Sequence, residues 1–351
     1  MTQGLVCLAL LFAQPAAQPA APKPKTFSLS ADQTKLSAVL AELSKKAGVT
    51  IEGKRGEADG PVTLNLKDAT WWEAVDAVAA AAHAGVTVNP RDGRVTLVKA
   101  KDKDQGATTS RDGLFRAAVK RITAVHDFDT GDSVYTASVE VAWEPWLLPL
   151  FLETSPRGFK VKDESGKDLP VREEGSSLAA VDGRTAFLLE LPLPALSRDA
   201  RKIGQIQGSL SVIAPSRMLR LSFDPLDQLE KKAPVTVTQD GMTCKISKVV
   251  LNADRWSVQV ALDYPPGGPT FESFQSWVVN NEMTLESKDG TKHLASNGYV
   301  LESSSPRRAV LTYHFTDKGR GKPEDWKVTY RTPASIVEIP LSFAFRDVRL
   351  P

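Results

Sequence analysis

The second part of the chain repeats one order of short segments, and this duplication restricts the fold more than any other feature. The paired segments are Val119–Val125 with Cys244–Val250, Ser138–Val141 with Ser257–Val260, Asp163–Lys167 with Lys288–Thr291, and Ala214–Phe223 with Thr332–Leu341. Apolar and polar residues alternate along them, and Gly, Pro and Asp turns separate them, as is typical of short antiparallel strands. We therefore predict two tandem antiparallel β-sandwich domains, at residues 113–226 and 234–351, with a joint at 227–233.

Residues 26–99 have a different pattern, in which short strands alternate with two helices. In the first helix the apolar residues recur on one face, with Thr34 available as its cap and Gly48 at its end. The second helix begins at Thr70, which stands at capping-box spacing from Glu73. Strands are predicted at Thr26–Ser30, Val49–Glu52, Val62–Leu66, Val86–Val88 and Arg94–Val98. The segment is predicted to form a small βαβ-βαβ-type module, and the whole chain a multidomain α+β fold.

This order of elements resembles the secretin and TonB N-terminus short (STN) domain. The resemblance rests on Phe27–Leu29, Leu36–Leu43, Ala47–Ile51, Val62–Leu66, Glu73–Val75 and Ala84–Val88, with a closing strand to Val98. It covers about a fifth of the chain and consists of hydrophobic and glycine positions rather than a catalytic signature. The resemblance implies a periplasmic domain that contacts other proteins. The sequence departs from the usual setting of the family, because no secretin pore pattern follows the module.

A linker is predicted between this module and the repeats. Residues 100–112 are rich in Lys, Asp, Gly, Thr and Ser and contain no large apolar side chain. With 351 residues the chain is long enough for more than one core, which agrees with three folded segments. Its formal net charge is only +2, with acidic and basic residues interspersed, so we expect no nucleic-acid partner.

Residues 1–25 have the layout of a signal peptide followed by a Pro- and Ala-rich tether. An apolar run from Leu5 to Ala13 precedes small residues that allow cleavage after Ala13 or Ala17. Cleavage would remove Cys7 and leave Cys244, so we expect no internal disulfide. The pattern predicts an exported protein, periplasmic or associated with the cell envelope, whose mature chain has no integral membrane segment.

No motif in the sequence predicts a catalytic, cofactor or metal site. The histidines fall in different predicted elements, with no second His or Cys nearby: His83, His126, His293 and His314. The segment His126–Asp132 has alternating carboxylates like the start of a calcium loop. Gly131 stands where a side-chain oxygen ligand is expected and Ser138 where a Glu is expected, so a hairpin turn is predicted instead. We therefore expect no enzyme activity, no cofactor and no bound metal.

One aromatic residue of the second helix lies off its apolar stripe. Trp72 is about 100° around the helix from that stripe, on the same edge as Asp76 and His83. A large ring among polar groups either anchors a protein partner or is covered within the chain, and both alternatives stay open from the sequence. Trp72, Asp76 and His83 are therefore candidate protein-contact residues.

A second aromatic segment lies in the first repeat. Val141–Leu152 contains Trp143 and Trp146, and two prolines prevent a helix or a regular strand from running through it. The corresponding residues 264–277 of the second repeat are also rich in Pro and aromatic residues. Each segment is either a crossover buried in a sandwich core or an exposed contact surface. Trp143 and Trp146 complete the set of candidate contact residues.

Together these features predict an exported, non-enzymatic envelope protein that acts as a protein–protein interaction or scaffold module. Its expected partner is another envelope protein. The alternative is a carbohydrate- or cell-wall-binding protein that contacts polysaccharide through the aromatic loops of the β-domains. Several exposed aromatic rings on one face would favour that alternative.

Overall fold

The computed structural model describes residues 21–53, 59–99, 108–131, 133–172, 175, 177–197, 199–264, 281–317 and 320–350. These residues are mostly β-strand in several antiparallel sheets, and they include three α-helices. None of the helices in this part of the chain has the length and apolar content needed to span a bilayer. The predicted signal peptide lies outside the described residues.

The chain divides into two compact units, and the division is not sequential. We call Ala21–Pro215 together with Glu338–Pro351 the host unit, and Ser216–Val337 the inserted unit. The inserted unit therefore interrupts the host unit in the sequence. Chain termini of domains often lie close together, which makes such insertions possible.

The N-terminal module of the host unit contains the alternating strands and helices predicted for residues 26–99. Its elements are β1 (Thr26–Lys35), α1 (Leu36–Ala47), β2 (Ile51–Gly53), β3 (Pro61–Thr70), α2 (Trp71–Ala81), β4 (Ala84–Val88) and β5 (Val95–Lys99). β1 and β3 form an antiparallel pair. β2, β5 and β4 form a second sheet, in which β2 and β5 run parallel. Apolar side chains from both helices and both sheets share one core.

The ends of the helices are stabilised as predicted in α2 and differently in α1. The Glu73 carboxylate accepts hydrogen bonds from the Thr70 N–H at 2.8 Å and its hydroxyl at 2.9 Å, so the predicted capping box is present. Thr34 lies in β1 and does not cap α1. The carboxylate of Asp59 accepts the Ser37 N–H at 2.7 Å instead. This contact joins residues far apart in the sequence, so spacing alone did not indicate it.

The β-rich part of the host unit contains two sheets. Its strands are β6 (Thr109–Asp112), β7 (Phe115–His126), β8 (Ser133–Trp143), β9 (Phe151–Glu153), β10 (Arg157–Lys162), β11 (Asp168–Leu169), β12 (Leu178–Ala180), β13 (Ala186–Leu193) and β14 (Lys202–Pro215). One sheet has the order β13-β8-β7-β6. The other has the order β11-β10-β14-β9-β12 and is joined by the last strand of the chain.

The inserted unit also contains two sheets. Its elements are β15 (Met218–Pro225), α3 (Leu226–Lys232), β16 (Val235–Gln239), β17 (Met242–Leu251), β18 (Trp256–Asp263), β19 (Glu282–Ser287), β20 (His293–Ala295), β21 (Tyr299–Ser305), β22 (Arg308–Phe315) and β23 (Trp326–Pro333). One sheet has the order β16-β17-β18-β22-β21, and the other β15-β23-β19-β20. The last strand, β24 (Ile336–Arg349), begins in this unit and continues in the host unit.

The domain boundaries drawn from the repeat differ from the division observed here. β15, placed in the 113–226 domain by the sequence, pairs with β23 of the inserted unit. β24, placed in the 234–351 domain, pairs with β14 of the host unit. The two strands come from matched segments of the repeat, so each has the side-chain pattern that the other position requires. A repeat in the sequence therefore identified the equivalent strands without indicating which copy each one completes.

β24 runs antiparallel to β14 along the host unit. The carboxylate of Glu338 accepts a hydrogen bond from Ser211, and at the other end the Leu350 N–H donates to the Arg201 carbonyl at 3.0 Å. A glycine makes the contact close, because a Cβ added at Gly208 would stand 3.0 Å from the Phe343 ring. The absence of a side chain at Gly208 in β14 therefore leaves room for the Phe343 ring of β24.

Two segments predicted as connections are partly structured. Thr109–Asp112, the end of the predicted 100–112 linker, forms β6 and pairs with β7. Residues 100–107 lie outside the described residues. The predicted joint at 227–233 is helix α3 for most of its length, because Leu226 and Leu229 are buried and hold one face of it against the inserted unit.

A β-bulge occurs at the same place in both copies of the repeat. The ladder between β7 and β8 shifts register between Val119 and Arg121, and the ladder between β17 and β18 shifts between Ile246 and Lys248. The positions of the bulges make Val119 equivalent to Ile246, whereas the repeat in the sequence had aligned Val119 with Cys244. The difference is two residues, which keeps each side chain on the same face of the strand and is invisible to an alternating pattern.

Candidate functional site

The structure separates the five predicted contact residues into buried and exposed groups. Trp72 and Trp143 are 1% and 2% exposed, so neither ring is presented to a partner. Trp146 is half-buried, and Asp76 is largely covered. His83 is exposed at the end of α2. In the structure, the Trp72 ring is therefore covered within the chain.

The cover comes from an aromatic cluster where the N-terminal module meets the first sheet of the host unit. Ring centroids lie 6.0 Å apart for Trp71 and Trp72, 6.1 Å for Trp71 and Trp146, and 5.8 Å for Phe27 and Trp146. Ala142 of β8 and Ala186 of β13 belong to the same core as these rings. Because Ala142 and Ala186 are small, the rings of Trp71 and Trp72 can pack against the sheet. The face of α2 that carries Trp72 therefore packs on this neighbouring sheet.

Asp76 is held in this junction by two arginines of the β-rich part. Its carboxylate lies 3.0 Å from Arg116 Nε and 2.9 Å from Arg111 Nη1. The Arg116 side chain is almost completely buried, so removal of Asp76 would leave a buried guanidinium without its counter-ion. Asp76 therefore fixes the module to the host sheet, and its carboxylate is engaged within the chain.

Glu144 is the most unusual titratable group of the junction. Its side chain is completely buried, and one carboxylate oxygen accepts the Lys25 N–H at 3.4 Å. The indole nitrogens of Trp71 and Trp72 in the same junction are buried and have no hydrogen-bond partner among the described residues. Burial raises the pKa of Glu144 to about 7, and the Lys25 backbone N–H only partly opposes that rise.

This carboxyl gives a pH-dependent prediction. The pKa of Glu144 rises from 4.5 to about 7 on folding, so its protonated form stabilises the fold fully below about pH 4.5. That stabilisation is lost as the pH rises through 7. Glu144→Gln should therefore raise the free energy of unfolding by roughly 2–3 kcal/mol at pH 8 and change it little at pH 4.5.

Urea denaturation at the two pH values measures this difference. Glu42→Gln is the matched control, because Glu42 lies on the surface in a pair with Lys46 and its removal should change stability by less than about 0.5 kcal/mol. A Glu144→Gln effect of the same size at both pH values would contradict the assignment.

Three exposed apolar side chains of the described residues lie together at the tip of the hairpin formed by β7 and β8. We call Val125, Phe128 and Val134 the hairpin tip. Phe128 is 90% exposed, and Val125 and Val134 are both more than half exposed and stand opposite one another in the ladder. The His126 ring meets the Phe128 ring edge-on at 4.9 Å. Such an exposed ring on a projecting turn is suited to enter a pocket of another molecule.

The predicted hairpin turn is present over residues 126–131, and backbone N–H groups of the turn bind the carboxylate of Asp127, which was considered for calcium. One oxygen of Asp127 accepts the N–H groups of Asp129 at 2.8 Å and Thr130 at 3.1 Å. These hydrogen bonds lower the pKa of Asp127 and hold the turn. Sequence reasoning treated the segment only as a turn. The signal it passed over was a phenylalanine between two aspartates, where a turn needs no apolar residue.

The described residues contain no group of three or more His, Cys, Asp or Glu side chains placed to hold a metal ion. Cys244 is a free, buried cysteine, and burial raises the pKa of its thiol well above the usual range. In the first aromatic loop, Trp143 is buried and Trp146 is half-buried. The corresponding loop of the second repeat, at 265–277, lies outside the described residues.

Comparison of this chain with protein-family models, curated proteins and solved structures finds no match.

Proposed function

We propose that this chain is an exported cell-envelope protein that acts through protein–protein contacts, with an STN-like module at residues 26–99 carried on two tandem antiparallel β-sandwich repeats. The order of strands and helices in the module supports the first part of this proposal. The corresponding strand orders β6-β7-β8-β13 of the host unit and β16-β17-β18-β22 of the inserted unit support the second. The repeats serve as the scaffold on which the contact surface is mounted.

The observation that carries the proposed function is the hairpin tip. The described structure places its largest aromatic side chains in the interior, yet Phe128 stays almost fully exposed on an ordered turn. Exposing an apolar ring forgoes the free energy of burying it, roughly 1.5–3 kcal/mol. A partner that covers Phe128 would recover that free energy, so we assign the contact surface to this tip.

The junction supports a scaffold role in a second way. The aromatic cluster and the pairs of Asp76 with Arg111 and Arg116 fix the N-terminal module to the host sheet. A rigid module binds with a smaller loss of conformational entropy than a tethered one. The host unit is therefore suited to hold its contact surfaces in a constant arrangement.

Photo-cross-linking in cells tests the proposed function. A photoreactive phenylalanine analogue at position 128 should give a discrete cross-linked product in the envelope fraction. The same analogue at Leu188 is the control, because Leu188 is an exposed apolar side chain of the same unit away from the tip. Absence of a product at position 128, or equal products at both positions, would reject the hairpin tip as the contact surface.

A further inference from the structure

A pocket of about 550 Å³ opens on the host unit beside β10 and β11. Its apolar lining comes from Pro156, Phe159, Leu169, Val171 and Pro192. We call it the β10–β11 pocket. Its volume is within the range of sites that take up an aromatic side chain or a small ligand.

The rim of the β10–β11 pocket has two basic groups without a counter-ion in the described part of the chain. Arg157 also lines the pocket, but its guanidinium lies 3.0 Å from Glu153 and 3.5 Å from Glu338. Asp168 is paired with Lys162 at 3.5 Å. Lys160 and Arg172 remain, and both are exposed. The pocket therefore favours an apolar group flanked by negative charge.

The hairpin tip has that chemistry. Phe128 projects between Asp127 and Asp129, so an exposed ring is flanked by two carboxylates. The pocket supplies apolar walls with cations on the rim, and the tip supplies an apolar ring with anions beside it. Opposite charges around an apolar contact steer association and suppress wrong orientations.

The tip and the pocket also lie toward the same end of the host unit. Pro192, which lines the pocket, stands opposite Thr136 in the ladder between β13 and β8. The last pair of the hairpin before its turn is His126 with Ser133, and Ser133 lies three residues before Thr136 in β8. Three residues of strand span about 10 Å. Two copies related by a two-fold axis can therefore offer a tip and a pocket to each other at the same time.

We propose that two copies of this chain associate reciprocally, with the Phe128 tip of each entering the β10–β11 pocket of the other. This inference rests on the proposed function, since it names the partner of the same tip. A two-fold arrangement closes on itself and uses each contact twice. The contact is small, so the dimer is a weak one whose formation depends on protein concentration.

Sedimentation velocity on the purified full chain, from about 1 to 200 µM, tests this proposal. Wild type should shift from monomer to dimer over this range. Phe128→Ser, or Lys160→Glu combined with Arg172→Glu, should each weaken association at least about 10-fold. Leu188→Ser should leave it unchanged. Raising the salt concentration from about 50 to 500 mM should weaken the wild-type dimer, because the rim charges are solvent-exposed.

Mixing the two variants gives the sharper result. The Phe128→Ser chain retains its pocket, and the Lys160→Glu/Arg172→Glu chain retains its tip. An equimolar mixture restores one of the two contacts, so it should associate more strongly than either variant alone and more weakly than wild type. Circular dichroism on each variant should match wild type, since all three altered side chains are exposed.

Two results would overturn the proposal: a wild-type chain that stays monomeric at about 200 µM, or association that both variants leave unaltered. The cross-linking experiment then separates the two proposals. A monomeric chain that still cross-links through position 128 to a different envelope protein refutes self-association and leaves the proposed function standing. A monomeric chain without any cross-linked product refutes both.

Discussion

Deleting residues 338–350 should leave the host unit unable to fold, although these residues lie at the far end of the sequence. They form most of β24, which completes the β14 sheet, and they carry five buried apolar side chains: Ile339, Leu341, Phe343, Phe345 and Val348. Burial of each is worth roughly 1.5–3 kcal/mol. The total is comparable with the whole stability of a typical domain, about 5–15 kcal/mol. Loss of the host unit's cooperative unfolding transition, measured by calorimetry and circular dichroism, is the expected result.

Point variants on the two faces of β24 provide the matched comparison. Phe345 is buried, so Phe345→Ala should lower the free energy of unfolding by about 3–5 kcal/mol. Its neighbour Arg346 is exposed, and Arg346→Ala should change stability by less than about 0.5 kcal/mol. Equal effects of the two substitutions would show that β24 does not complete the host sheet.

The pairing of β15 with β23 and of β24 with β14 also predicts which fragments of the chain fold. In the inserted unit the Ser216 N–H donates to the Ser335 carbonyl at 2.8 Å, so the two ends of that unit are adjacent. Replacing residues 216–335 by Asn-Gly should therefore connect β14 directly to β24 as a hairpin and produce a folded host unit. The fragment 21–226, cut at the boundary predicted from the repeat, should not fold. A folded fragment 21–226, together with an unfolded chain in which Asn-Gly replaces residues 216–335, would contradict the pairing of β24 with β14.

Trp72→Ala is the second substitution for which we expect a large effect. The ring is buried in the junction core, and truncation of such a side chain costs about 3–5 kcal/mol because it leaves a cavity as well as losing buried area. The melting temperature of the host unit should fall by about 10 °C or more. Cross-linking through position 128 at a temperature where the variant is folded should be unchanged, because Trp72 is interior.

His83→Asn is the control for Trp72→Ala. His83 belongs to the same predicted edge of α2 but is exposed, and its φ of 51° is a left-handed conformation that Asn tolerates. We expect a change below about 0.5 kcal/mol. Loss of cross-linking in folded Trp72→Ala, with little change in stability, would restore the view of Trp72 as a partner anchor.

The candidate site was predictable only in part. Trp72 was selected because it lies off the apolar stripe of its helix, Asp76 because it lies on the same edge, and Trp146 because it belongs to an aromatic segment. All three lie in the junction. Their role there is internal, because Ala142 and Ala186 of a distant sheet leave room for the rings and Arg116 meets the carboxylate. Phe128 was not selected, since an apolar residue in a turn is unusual only once its exposure is known.

By itself the sequence determined the features that depend on neighbouring residues. Periodicity placed the strands and helices of residues 26–99, the spacing of Thr70 and Glu73 determined the cap of α2, and Gly48 ended α1 in a left-handed conformation. These features are local because hydrogen bonds within a turn and the period of one face involve residues only a few positions apart.

Only the tertiary structure decided how equivalent segments are used. β15 and β24 have matching patterns, so the sequence could not indicate that β15 completes the sheet of β23 and β24 the sheet of β14. The side-chain patterns of these strands suit either sheet edge equally, and the choice depends on contacts between distant residues, such as Phe343 over Gly208. Burial of Trp72 and the raised pKa of Glu144 have the same origin, since both depend on what a distant part of the chain places around them.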